Sequence, residues 1–269
     1  MRVVDARGRA LEFGVAPRRI VSLVPSHTES LFALGAGGLV VGATEYCVHP
    51  LQELSEIPRV GGTKNPRLER ILELAPDVVI ANREENRRTD VERLEAAGIP
   101  VLVTYARTTA EAVADLRRLG DLTQTLDRAD ALAGLIEAAL ARARERARDS
   151  RVRYLALIWK EPYMAVGPDT FAHDLLAMCG GHNPLPLDAR RRYPRVDERA
   201  IEALDPEVIL LPTEPYPFKT QERDPLLRLH CSAGRSGRVH IVEGELLTWY
   251  GPRMERALGL FSELLDAAP

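Results

Sequence analysis

The chain has 269 residues, a formal net charge of −3, and 45% hydrophobic and 28% charged residues. This describes one large globular domain or two ordinary lobes, and the slightly acidic balance gives no reason to expect nucleic acid or an anionic membrane as partner. Three cysteines cannot form a fully paired disulfide framework, and no run reaches the roughly 18 apolar residues of a membrane span.

Met1 opens a polar stretch, MRVVDARGRALEF, which reads as folded sequence and not as a secretory leader. Taken as given, the chain reads as cytoplasmic; a start further upstream would place it in the periplasm or cell envelope. Arg19 to Val24 predicts a first strand. Pro25 to Glu29 turns into a helix over Ser30 to Leu34, with Ser26 or Thr28 as its cap and Gly35, Gly37 and Gly38 as its stop. Val40 to Gly42 predicts a second strand, followed by the loop Thr44 to Pro50. A loop over Gly61 to Pro66 opens a helix over Leu68 to Leu74. Strand Val78 to Ala81, polar loop Asn82 to Asn86, helix Thr89 to Ala97 and strand Val101 to Thr104 complete an alternation that predicts a parallel sheet covered by helices.

The pattern then changes to helices over Thr109 to Leu119 and Asp127 to about Arg148. The second is rich in Ala, Leu, Glu and Arg, with no proline and only Gly134. The six arginines between Arg142 and Arg153 are interrupted by acids and read as a solvated helix face. Strand Tyr154 to Trp159, helix Asp169 to Met178, polar loop Arg190 to Asp197, strand Val239 to Val242, a loop over Glu243 to Arg253 and helix Met254 to Leu265 follow.

One 13-residue phrase occurs twice: ERILELAPDVVIA from Glu69 and RAIEALDPEVILL from Arg199. Each is a helix face, a proline that cannot continue the helix, and a short apolar β-branched run, the pattern of a strand buried on both faces. Two copies predict two similar α/β lobes, and two lobes predict a ligand cleft. The expected division is 1–108 as the first lobe, 109–149 as linking helices, and 150–269 as the second lobe.

Ligands of open α/β sheets bind beyond the carboxyl ends of the strands. The loops expected there carry Tyr46, Trp159, Tyr163, Tyr216, Phe218, Trp249 and Tyr250, in a chain only 5% aromatic. Such aromatics contact a ligand or seal the lobe edges. Cys47 and His49 are a soft donor pair suited to a transition metal, which Glu84, Glu85 or Glu214 would have to complete through the fold. There is no G-x-S-x-G, no Walker loop and no H-E-x-x-H, so no catalytic residue is assigned.

The phrases RRIVSLVPSHTESLFALGAGGLVVGATEYCVHP, RLERILELAPDVVIA, AAGIPV, GPDTFAHDLLAMCGGHN and DPEVILLP together resemble the helical-backbone solute-binding proteins of ABC importers, the family of cobalamin, ferric-siderophore and haem binders. The resemblance implies two Rossmann-like lobes with parallel sheets, one long backbone helix joining them, and a ligand held between. It is nearest the cobalamin branch, but His49, Thr63 and Asn82 stand where that branch has stacking aromatics. The expected ligand is therefore a polar metal complex, contacted by Tyr46, His49, Lys64, Glu84, Glu85, Trp159, Tyr163, Tyr216, Phe218, Trp249, Tyr250 and Arg253. The family docks a glutamate of each lobe on its permease; Glu69 matches the first position, and Arg199 occupies the second with Glu198 beside it. The expectation is a monomeric carrier, not an enzyme, that needs no cofactor of its own and serves an ABC permease. The alternative is a cytoplasmic metal- or tetrapyrrole-handling protein, or a chelatase-like enzyme, on the same scaffold.

Overall fold

A computed structural model of the protein describes residues 1–147, 151–186 and 192–266. Residues 148–149 of the expected linking segment, and 190–191 of the expected polar loop, lie outside them. The chain divides into two compact units. One comprises Met1–Ala106, Ala110–Gly134 and Tyr250–Pro252; the other comprises Arg107–Thr109, Leu135–Trp249 and Arg253–Pro269.

The first unit opens on a small antiparallel hairpin, β1 (Arg2–Val4) and β2 (Ala10–Glu12). The sequence reading missed it, because three-residue strands with one inward side chain each give almost no periodicity. Its turn is tied to the main sheet by the Ala6 N–H, which donates to Val103 O at 2.9 Å. The main elements are β3 (Ile20–Ser22), α1 (Pro25–Ala33), β4 (Val40–Ala43), α2 (Leu68–Glu73), β5 (Val78–Asn82), α3 (Arg88–Ala96), β6 (Val101–Thr104) and α4 (Thr109–Leu122). The four main strands form a parallel sheet in the order β4-β3-β5-β6. All of β3, β5 and β6 is buried, as the continuous apolar runs require.

Helix α1 starts earlier than its composition suggests. Pro25 occupies its first turn, where a missing N–H costs nothing, and Val24 precedes it without any side-chain cap. Ser26 and Thr28 are thus inside the helix and not its cap. Thr28 Oγ1 donates back to Val24 O at 3.0 Å, and the buried Ser26 Oγ has no hydrogen-bond partner among the described residues.

Helix α5 (Leu126–Arg146) runs for 21 residues, about 32 Å at 1.5 Å per residue. Its residues through Gly134 group with the first unit and those from Leu135 with the second. The second unit contains β7 (Val152–Trp159), β8 (Met164–Ala165), α6 (Phe171–Met178), β9 (Gly181–His182), α7 (Glu198–Leu204), β10 (Val208–Pro212), α8 (Thr220–Leu226), α9 (Ser232–Ser236), β11 (Val239–Val242), α10 (Gly244–Thr248) and α11 (Met254–Leu264). Strands run β11-β10-β7-β8, with β9 also on β7; β8 alone is antiparallel. Helix α10 lies inside the stretch read from sequence as a loop.

The sequence repeat is a structural repeat down to single bonds. Ala75 and Asp205, the residues before the two prolines, both adopt φ 43°. The next amide but one, of Asp77 or Glu207, donates to the carbonyl of Arg19 (2.8 Å) or Arg153 (2.7 Å). The acid side chain returns the bond: Asp77 accepts from Arg19 N at 2.9 Å and Glu207 from Arg153 N at 2.9 Å. Each arginine guanidinium then bonds the pre-proline carbonyl, at 3.1 Å and 2.9 Å. This clamp fixes the register of the two central strand pairs in the same way, Ile20 opposite Val78 and Tyr154 opposite Val208.

Candidate functional site

In each sheet, one pair of adjacent strands sends its following connections in opposite directions, and the crevice beyond their carboxyl ends is where ligands are received. In the first unit that pair is β3 and β5; in the second it is β7 and β10.

The β5 end of the first unit is a locked polar loop. Asn82 Oδ1 accepts the N–H groups of Glu84 (2.8 Å) and Glu85 (3.3 Å), while the Asn82 N–H donates to Asn86 Oδ1 at 2.7 Å. Asn86 Nδ2 donates to Leu23 O (3.3 Å) and Thr63 O (2.9 Å), which ties the loop to the end of β3 and to the Gly61–Pro66 loop. Lys64 Nζ donates to the Glu84 carbonyl. The Arg83 guanidinium lies over the Tyr105 ring, 4.9 Å from its centre. Glu84 and Glu85 are half-buried beside them.

Behind this loop is a buried polar chain. Asn82 Nδ2 donates to Thr104 Oγ1 (3.1 Å) and to Tyr250 Oη (3.0 Å), and His27 Nε2 meets Thr104 Oγ1 at 2.7 Å. Burial, and then the positive charge of Arg118, push the His27 imidazole down to about 3, so it is neutral at physiological pH. Tyr250 packs its ring against His27, with centres 5.6 Å apart, and is 6% exposed. It is an internal partner of the first unit and not an open ligand contact.

Tyr46 is 62% exposed and crosses Gly62, where an added Cβ would stand 3.3 Å from the ring. Cys47 does not join it: its sulfur is fully buried and meets Thr28 Oγ1 and Thr44 Oγ1, each at 3.1 Å. Burial pushes the thiol up, disfavouring the thiolate a metal needs. The partly exposed His49 is therefore not paired with Cys47 around a metal. Among the described residues, no group of three or more His, Cys, Asp or Glu side chains is arranged to hold a metal ion.

The β7 and β10 ends of the second unit are aromatic. Trp159, the last residue of β7, is 43% exposed. Tyr216 meets it edge-on, with centres 5.7 Å apart at 70°, and Phe218 lies 4.7 Å behind Tyr216. Phe218 is 1% exposed and belongs to the core, so it supports the stack without reaching a ligand. Tyr163 is half-buried on the same core, and burial, then the charges of Glu198 and Glu222, push its phenol up.

Trp249 is only 6% exposed. Arg253 stacks on it at 5.2 Å and pairs with Glu243 at 2.7 Å, and Glu243 also holds Arg256 at 2.7 Å. Glu214 accepts from Thr248 Oγ1 at 2.9 Å and from the Trp249 side chain, and burial pushes its carboxyl up. Trp249 and Arg253 are thus engaged within the unit. Sequence reasoning weighed Glu214 only as a donor that would complete a metal site, and left Arg83 out of the expected ligand contacts although it follows a buried strand.

Glu69 is exposed on α2, 3.7 Å from Arg93, and Glu198 is exposed in the first turn of α7, before the exposed Arg199.

This parallel-sheet pair joined through α5 has close relatives. A family model described as periplasmic binding protein matches residues 20–239. The chain belongs to that family. The periplasmic heme-binding protein RhuT from Roseiflexus sp. RS-1, in apo form, has a similar structure, with a TM-score of 0.80 and 27% identity over 94% of this chain and 99% of that one. A periplasmic heme-binding protein from Pseudomonas aeruginosa gives a TM-score of 0.81 and 25% identity, with 94% of each chain covered. By sequence, this family member is 27% identical over 258 residues to the uncharacterized ABC transporter substrate-binding lipoprotein YvrC of Bacillus subtilis, covering 93% of this chain and 80% of that protein. It is also 27% identical over 197 residues to the vitamin B12-binding protein of Yersinia pestis, covering 73% and 70%. Among the described residues, no helix is long and apolar enough to cross a membrane.

Proposed function

We propose that this protein is the binding component of an ABC importer and captures a metal-containing small molecule at the carboxyl-end faces of its two sheets. The observation that carries this reading is Trp159: a large, open aromatic face at the β7/β10 crevice, braced by Tyr216 and Phe218. A flat or apolar ligand edge gains from such a surface. The named relatives, binders of heme and of vitamin B12 in a periplasmic binding protein family, support the ligand class.

In this reading the protein binds and delivers without catalysis, as a monomer with no resident cofactor. It works in the periplasm or cell envelope, as the names of its relatives suggest. The exposed Glu69 and Glu198 are the acids that meet the permease, with Arg199 weakening the second contact through like charge.

The test is a titration of tryptophan fluorescence with cobalamins, haemin, ferric chelates and free divalent metals. Quenching by a metal complex is expected in the parent and in Trp249→Phe, and its loss in Trp159→Phe. No quenching and no thermal shift with any of them would overturn the reading.

A further inference from the structure

We propose that Tyr250 is a positioning residue of the ligand site: through Asn82 it holds the loop at the end of β5 in the shape that meets the ligand. This rests on the carrier reading above and adds to it a residue that touches no ligand itself.

Asn82 ends β5 and is 1% exposed. Its side-chain amide has two N–H donors and an oxygen with two acceptor positions, and all four are used. The oxygen takes the N–H groups of Glu84 and Glu85, which bends the loop back on itself. The nitrogen gives one hydrogen to Thr104 Oγ1 and the other to Tyr250 Oη. Turned over, the amide would set its NH2 against two N–H donors. What stands on the nitrogen side therefore decides where the oxygen sits, and with it the loop.

Of the two acceptors, Thr104 is part of the first sheet. It ends β6, and its Oγ1 is also held by Ala81 O at 3.2 Å and His27 Nε2 at 2.7 Å. Tyr250 comes from 168 residues away in the chain, in the short segment between α10 and α11. Residues Tyr250–Pro252 nevertheless group with the first unit. Gly251 allows this approach: its φ is 91°, and a Cβ there would stand 2.3 Å from Ser30 Oγ on α1. The Tyr250 ring rests on the neutral His27, so its hydroxyl is an acceptor in a fixed place.

Without that hydroxyl, one N–H of a buried amide has no partner. A buried donor left unpaired is costly, so the amide turns to regain a bond and its oxygen leaves Glu84 and Glu85. A tyrosine that only filled space would need its ring and not its hydroxyl. Tyr250→Phe separates the two roles, because it keeps the ring on His27 and removes the acceptor.

The experiment measures amide hydrogen exchange residue by residue on the full chain without ligand, and then titrates tryptophan fluorescence with cobalamins, haemin and ferric chelates. In Tyr250→Phe the Glu84 and Glu85 amides are expected to exchange about three- to tenfold faster, the range set by one neutral hydrogen bond. The Leu23 and Val79 amides, bonded within the sheet, are expected to keep the parent rates. A compound that binds the parent is expected to lose affinity by a similar factor, with the same quenching at saturation. Thr104→Val, which removes the other acceptor, is expected to act in the same direction. Parent rates at Glu84 and Glu85, faster exchange throughout the first unit, or unchanged affinity in both variants overturns the inference while the carrier reading stands. Absence of binding to the parent by every compound defeats the carrier reading and this inference with it.

Discussion

The two sheets are built alike and finished differently. The same arginine–proline–acid clamp sets both central strand pairs, yet β5 ends in a loop locked by asparagine amides and the β7 and β10 ends carry stacked aromatics. Repeated sequence therefore specifies the frame, and the few residues after each strand specify the surface. In the first unit the polar groups are tied to one another and to the backbone. In the second, the aromatic stack descends from an open tryptophan into the core.

Three experiments press on that contrast. The largest effect belongs to the aromatic side. Phe218→Ala removes a fully buried ring and is expected to cost about 3–5 kcal/mol in urea denaturation. Trp159→Ala, at the open end of the same stack, is expected to cost a fraction of that while abolishing ligand quenching. Equal costs would mean that Trp159 is a core residue and not a surface for binding.

The next effect belongs to the polar side. An unfolded His27 titrates near 6.5 and the folded one near 3. Between those values the unfolded chain takes up a proton that the folded chain refuses. Stability from this site is therefore full above pH 6.5 and falls by about 1.4 kcal/mol per unit toward pH 3. Unfolding measured from pH 7 to 4 should show this slope, and His27→Gln, which can still bond Thr104, should flatten it by one proton. An unchanged slope would mean that the imidazole is charged or solvated in the folded protein.

The smallest effect runs in the opposite sense on the aromatic side. Glu214 has its folded pKa raised from 4.5. Its protonated form favours folding, so its contribution is present below about 4.5 and is lost as pH rises through the folded value. Glu214→Gln should gain in melting temperature over the parent as pH climbs from 4 to 7. A gain that shrinks over that range would show that the bonds from Thr248 and Trp249 outweigh burial.

Much of the architecture was legible because it rests on local rules. Buried parallel strands read as continuous apolar runs, so Val101–Thr104 and Val239–Val242 match residue for residue, and the proline-broken repeat announced two units. Uninterrupted helix formers gave α5. Side-chain placement was legible only in part. Trp249 and Tyr250 are neighbours in the chain, yet Trp249 groups with the second unit and Tyr250 with the first, where Asn82 and His27 hold it. Cys47 and His49 have a plausible spacing for metal, but two threonine hydroxyls draw the sulfur inward.

The sequence by itself determined the two α/β units, their parallel strands, the long helix and the family, because periodicity, proline and β-branched runs act over a few residues at a time. Only the tertiary structure decided which loop residues face outward: Trp159 and Arg83 open, Phe218, Trp249 and Tyr250 enclosed. That outcome depends on partners 20 to more than 160 residues away in the chain, such as Tyr105 for Arg83 and Tyr250 for Asn82, and no local pattern encodes contacts of that range.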